Sequence, residues 1–118
     1  MKFTPSHEWI RCEKNIGTIG ITEYAKDELG EIVHIELPKI GRIVKAGDEL
    51  CVLESTKSAT DVYSPVSGKV KAVNADLKSI NQDAEKLGWL VQIELSNSKE
   101  LDPLLSKAQY DQLGPVQK

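Results

Sequence analysis

The 118 residues suit one domain, and a second independent core would not fit in that length. Aromatic residues make up only 5% of the chain, so the core has to come from Ile, Val, Leu and Ala, a set that suits compact β-structure. A formal charge of −3 with no run of Lys and Arg excludes an electrostatic footprint for nucleic acid or an anionic membrane, and no apolar run approaches the roughly 18 residues of a bilayer span.

The opening Met1-Lys2-Phe3-Thr4-Pro5 lacks the apolar stretch of a secretory signal and the Arg- and Ser-rich character of a transit helix. The expected location is the cytoplasm, or the mitochondrial matrix for a processed organellar form. Residues 7–12 alternate, Glu13-Lys14-Asn15 turns, and residues 16–21 follow as a second strand. Thr22 has the side chain of an N-cap, Gly30 suits the C′ position, and Tyr24, Ala25 and Leu29 share one side. Together they predict a short helix over 22–29.

Residues 31–37 alternate up to Pro38, and strands are predicted over 41–48, 49–54, 59–63 and 69–73. Residues 74–88 are polar and read as irregular, and 89–95 form the last strong strand. Leu101, Leu104, Leu105, Ala108 and Leu113 recur at helical spacing, which predicts a C-terminal helix near 99–113 and a frayed tail over 114–118.

Many short strands with closely spaced turns predict a β-sandwich or barrel with accessory helices, in a single domain over 1–118. A weak internal repeat relates residues 41–50 to residues 68–77. In a fold with approximate two-fold symmetry, each copy would lie in one sheet, with the intervening hairpin at one end.

That hairpin, residues 49–64, carries Lys57 among small and polar neighbours at its tip. A solvent-facing amine is protonated and poorly nucleophilic, and a Schiff-base lysine needs burial or a neighbouring cation. Lys57 is thus excluded as a catalyst. It is either a substrate for acylation or a plain solvated turn lysine, and spacing alone does not separate the two.

Cys12 and Cys51 form no CxxC pair, which argues against a metal or redox motif, and Cys51 lies in an apolar run as a small hydrophobe. His7 and Glu8, as consecutive strand positions, are expected to face opposite sides and so not to form an acid–base pair. His34 reads as a strand residue facing water or as a satisfied core histidine, and Trp9 and Trp89 as packing residues. No nucleophile–base pair, phosphate loop or metal spacing supports an enzyme.

From Glu54 to Gly68 the chain reads Glu-Ser-x-Lys-x-x-x-Asp-x-Tyr-x-Pro-x-Ser-Gly, which resembles the lipoylation segment of glycine cleavage system H proteins. The likeness extends to His7-Glu8-Trp9 with Arg11, to Gly20-Ile21-Thr22 through Leu29-Gly30, to Leu37-Pro38 with Gly41 and Gly47-Asp48, and to Gly88-Trp89-Leu90 and the 101–113 segment. It covers roughly residues 3–113. The chain departs from the pattern in a shorter 74–88 segment, in Ala84-Glu85 where the family has Pro-Tyr, and in Thr56 and Ser58 beside the lysine.

The resemblance implies a flattened lipoyl/biotinyl-type hybrid β-barrel or sandwich with pseudo-two-fold halves. It implies (R)-lipoate in amide linkage to Lys57, with Glu54 and Gly68 as recognition positions for a lipoyl-protein ligase or a lipoyl/octanoyl transferase. It further implies a carrier with no catalytic residues of its own, and the low aromatic content argues for a monomer. Such a carrier passes the aminomethyl group from a pyridoxal-phosphate glycine decarboxylase (P-protein) to a tetrahydrofolate-dependent aminomethyltransferase (T-protein), and dihydrolipoamide dehydrogenase (L-protein) reoxidises it. Alternative readings are an H-protein-like lipoyl carrier acting as lipoyl donor or relay or in redox metabolism outside glycine cleavage, a biotinyl carrier or 2-oxoacid dehydrogenase lipoyl domain, or an unmodified interaction module or small enzyme.

Overall fold

The computed structural model describes residues 1–113, and its short strands carry the Ile, Val and Leu side chains that two sheets bury between them. β1 (Lys2–Phe3), β2 (Glu8–Glu13) and β3 (Ile16–Ile21) run antiparallel in succession. The β2–β3 turn is made by Lys14 and Asn15, both at positive φ (48° and 68°), the backbone a two-residue primed hairpin requires. α1 (Glu23–Leu29) follows at once, with the Thr22 hydroxyl accepting from Ala25 N–H and Gly30 closing the last turn at φ 86°.

β4 (Ile32–Glu36), β5 (Ile43–Val44), β6 (Glu49–Ser55), β7 (Ala59–Tyr63), β8 (Gly68–Val73), α2 (Leu77–Gln82) and β9 (Val91–Leu95) complete the body of the molecule. A 3₁₀ turn (Ser98–Leu101) and α3 (Lys107–Leu113) close the described chain.

The strands form two open antiparallel sheets, one of six strands in the order β1-β2-β3-β9-β8-β5 and one of three in the order β4-β6-β7. Neither closes into a barrel. A single apolar cluster joins them: Ile10, Ile19, Val70, Val91 and Ile93 from the larger sheet meet Ile32, Leu50, Leu53 and Val62 from the smaller. Phe3, Trp9 and Tyr110 make a second, aromatic cluster at the end where α3 packs. Cys51 is buried in the core, and burial first, then Glu8 and Glu49, push its thiol up to about 12.

Several expectations change. The predicted strand over 41–48 shrinks to β5, because Gly41 (φ 97°) and Gly47 (φ 93°) turn the chain at both ends. The two repeat copies do not divide between the sheets. β5 and β8, one from each copy, are antiparallel neighbours in the six-stranded sheet. The segment 74–88 is not irregular throughout, since Asp76 caps α2 by accepting from Lys78 N–H, and Ile80 is fully buried.

The C-terminal helix is split. Pro103 has no N–H to continue the 3₁₀ turn, and Leu105 instead exchanges two backbone hydrogen bonds of 2.8 Å with Phe3. Ser106 then restarts a helix through a reciprocal cap, accepting from Gln109 N–H while Gln109 Oε1 accepts from Ser106 N–H. The frayed tail expected over 114–118 lies outside the described residues. Among those described, no helix is long and apolar enough to cross a membrane.

Candidate functional site

Lys57 lies in the turn between β6 and β7, whose register runs Val52↔Asp61, Leu53↔Thr60 and Glu54↔Ala59. The turn is closed by Ser55 N–H donating to Ser58 O at 2.8 Å. Ser55 also organises it from inside: its Oγ donates to Ser58 O and accepts from the amides of Lys57 and Ser58, each at 3.1 Å. A further hydrogen bond, Thr56 N–H to Glu31 O at 3.1 Å, ties the tip to the segment after α1. Lys57 itself is exposed. Its stem crosses Gly30 so closely that a Cβ there would lie 2.8 Å from Lys57 Cε.

Glu54 and Gly68 sit in different surroundings. Glu54 is on β6 and pairs across the strands with His34 of β4 at 3.8 Å. His34 therefore faces water rather than the core, and with Glu36 and Glu54 it forms an exposed group whose ligand atoms lie within 4.8 Å of one another. Gly68 belongs to the other sheet and is buried, and a Cβ on it would stand 2.1 Å from the backbone oxygen of Glu94 in β9. Packing inside the molecule is thus enough to require glycine at that position.

Beside the hairpin tip opens a cleft of about 410 Å³. One wall is α1, through Tyr24, Ala25 and Leu29; another is β7 with the residue before it, from Ser58 to Val62. The third comprises Ser6, His7 and Glu8. Sequence reasoning treated His7 and Glu8 as opposite-facing strand positions, but His7 lies outside β2, at φ 73°, and both residues line the cleft.

Glu8 is 2% exposed. Its Oε1 accepts from Thr4 Oγ1 and Ser6 Oγ at 2.5 Å, and its Oε2 accepts from Tyr63 N–H at 3.2 Å. Three donors thus hold a buried carboxylate in one orientation. Glu28 and Asp61 add acidic groups to the lining, and among the described residues no Lys or Arg is part of it. Such a lining favours a small cation over an anion.

Nothing in the local sequence marked Ser6, Glu8 or Asp61 as partners, because the cleft is assembled from three segments far apart in the chain. A larger groove of about 570 Å³ runs along β5, β8 and β9, among Ile43, Lys45, Ser67 and Glu100, and involves no hairpin residue.

Against this geometry stand the known proteins. The model of the Glycine cleavage H-protein family matches residues 1–115. The chain belongs to that family. It is 50% identical over 115 residues to a glycine cleavage system H protein of Symbiobacterium thermophilum, covering 94% of this chain and 90% of the relative. It is 45% identical over 116 residues to one from Parvibaculum lavamentivorans, covering 95% and 93%. The crystal structure of the H protein from Mycobacterium marinum superposes with a TM-score of 0.84 at 30% identity, over 94% of this chain and 93% of that one.

An exposed amine stands on a tip that its own hydrogen bonds hold in place, and a cleft beginning at Ser58 runs away from it.

Proposed function

We propose that this family member is a lipoyl-lysine carrier of glycine cleavage, with (R)-lipoate attached to Lys57. The observation that carries the reading is an exposed lysine on an internally braced hairpin tip, beside a cleft whose lining is acidic and free of Lys and Arg. When bound, the lipoyl group supplies a disulfide that takes up the aminomethyl group left by glycine decarboxylation and a thiol from which it is handed on. The chain's own residues position and shelter.

Ser55 and the Thr56–Glu31 hydrogen bond keep the pivot in one place. The Glu8 carboxylate, held by Thr4, Ser6 and the Tyr63 amide, meets the positive charge of the carried amine. Ile21, Leu29 and Val62 exclude water from the one-carbon unit. None of these groups needs to break a covalent bond, which suits a carrier subunit rather than an enzyme.

Glu54, three residues before the lysine and half-buried beside the turn, is the charge a lipoyl-protein ligase or lipoyl/octanoyl transferase would grip. Gly68 is the second recognition position, acting by keeping β8 and β9 in register. The partners are the decarboxylase, the aminomethyltransferase and dihydrolipoamide dehydrogenase, met by a monomer in the cytoplasm.

Intact mass spectrometry tests the attachment. Protein from a lipoylating host carries one lipoyl mass increment, and Lys57→Ala removes it; an increment that survives the substitution overturns the assignment. Glycine–bicarbonate exchange with the decarboxylase then separates glycine cleavage from a donor or relay role, because a relay fails to support exchange.

A further inference from the structure

The C-terminal helix reaches the cleft through one hydroxyl. Tyr110 of α3 is 5% exposed, and its ring stacks on Phe3 with centroids 4.9 Å apart. Its Oη lies 2.6 Å from His7 Nδ1 and 2.7 Å from Thr22 Oγ1. Thr22 is fully buried and already accepts from Ala25 N–H at 3.2 Å as the cap of α1.

Among the described hydrogen bonds, Tyr110 is the one group to which the Thr22 hydroxyl can donate. With Thr22 accepting from Ala25 N–H, the Thr22 and Tyr110 hydroxyl protons both find acceptors only if Thr22 O–H donates to Tyr110 and Tyr110 O–H donates to His7 Nδ1. The His7 proton then sits on Nε2.

The two walls concerned are already joined through the backbone, Thr22 N–H donating to His7 O at 3.0 Å. Tyr110 therefore adds no new tie between them. What it fixes is the His7 ring, which lines the cleft with the Tyr24 ring tilted against it, centroids 4.6 Å apart. His7 also holds φ 73°, a backbone conformation that persists in an L residue only where surrounding contacts over-determine it.

We infer that Tyr110 is a positioning residue for the arm cleft: its hydroxyl sets the orientation and the Nε2-protonated tautomer of the His7 ring that the cleft presents to the lodged arm. The inference rests on the reading of Lys57 as the lipoylated residue.

The test uses the lipoylated full chain. Its dithiol is reduced and loaded with carbon-13 formaldehyde and ammonia. One S–H adds across the formaldehyde carbonyl, and ammonia then displaces water, leaving S–CH₂–NH₂ with no change of oxidation state. Three quantities are read: the ring nitrogen-15 shifts of His7 before loading, NOEs from the labelled methylene to Ile21 and Tyr24, and the rate of ammonia release.

Wild type shows the Nε2–H tautomer, clear NOEs, and release at least about tenfold slower than a free dihydrolipoamide adduct. Tyr110→Phe mixes the tautomers, weakens the NOEs about threefold and speeds release about fivefold, while the backbone resonances of both sheets stay in place. Thr22→Ser, which keeps the hydroxyl, behaves as wild type. Should Tyr110→Phe not fold, the ring nitrogen-15 shifts of wild type decide alone, and protonation of His7 at Nδ1 overturns the inference.

Unchanged tautomer and NOEs in a folded Tyr110→Phe, with a sheltering wild type, overturn the inference alone. A wild type that neither lodges nor shelters the label overturns the proposed function, and the inference falls with it.

Discussion

His7 is held in its neutral form by its setting. Burial lowers its pKa from the usual 6.5, against the opposing pull of Glu8 and then Glu28, and the Tyr110 hydroxyl needs Nδ1 as an acceptor. The rings of Tyr24 and Tyr110 pack against the same imidazole. A base with a lowered folded-state pKa contributes stability that is complete above 6.5 and is lost as pH falls from 6.5 through the folded value. The stability advantage of wild type over His7→Asn is therefore expected to shrink as pH drops across that window, measured as the difference in urea midpoints; an advantage that grows on acidification contradicts it. Asn is the apt replacement because it tolerates positive φ and keeps an acceptor. At this scale the exposed place of Lys57 in a hairpin turn was legible, since small and polar neighbours on either side set it. Glu8 was not, since its meaning comes from Thr4, Ser6 and the amide of Tyr63, and only the folded chain brings Tyr63 to it.

α2 acts on the hairpin at one remove. The Asn81 amide both accepts from Ile32 N–H at 2.8 Å and donates to Ile32 O at 2.9 Å, so the helix clamps the start of β4, and β4 in turn pairs with β6. Asn81→Ala leaves two partly buried backbone groups to find water. It is expected to cost about 1–3 kcal/mol and to raise amide exchange in β4 before β8 or β9. Uniform loss of protection across both sheets would deny the clamp a local role. The strands were most legible where a half-buried strand writes its exposure into a period of two, as β9 and the first half of β8 do. α2 left a signal that went unread, Asp76 before Leu77 and Ile80. The break in the C-terminal segment could not be foreseen from local spacing, because the choice of Leu105 as a backbone partner belongs to Phe3, a hundred residues earlier.

Both sheets draw on one apolar cluster, so damage to either reaches the other. Gly68→Ala drives a methyl group into the β9 backbone and is expected to cost more than about 3 kcal/mol, lowering Tm by roughly 10 °C or more in a single calorimetric transition. A variant with unchanged Tm that is no longer lipoylated would instead mean that the modifying enzyme reads this glycine directly. The mainly β architecture was legible in composition and turn spacing. The division into sheets of six and three strands was not, because strand partners are set by three-dimensional packing rather than by neighbours in the chain.

The hydrogen bond from Thr56 N–H to Glu31 O gives any group that Lys57 carries an anchored base. Because the turn is fastened to the body of the protein, all travel must come from rotation about the bonds of the lysine and whatever it bears. The reachable volume is then a sphere with a stationary centre, cut away on one side by the molecule itself. On the proposed carrier role, a partner catalyst has to bring its reacting atoms inside that sphere, so tether length sets the distance between docked surfaces.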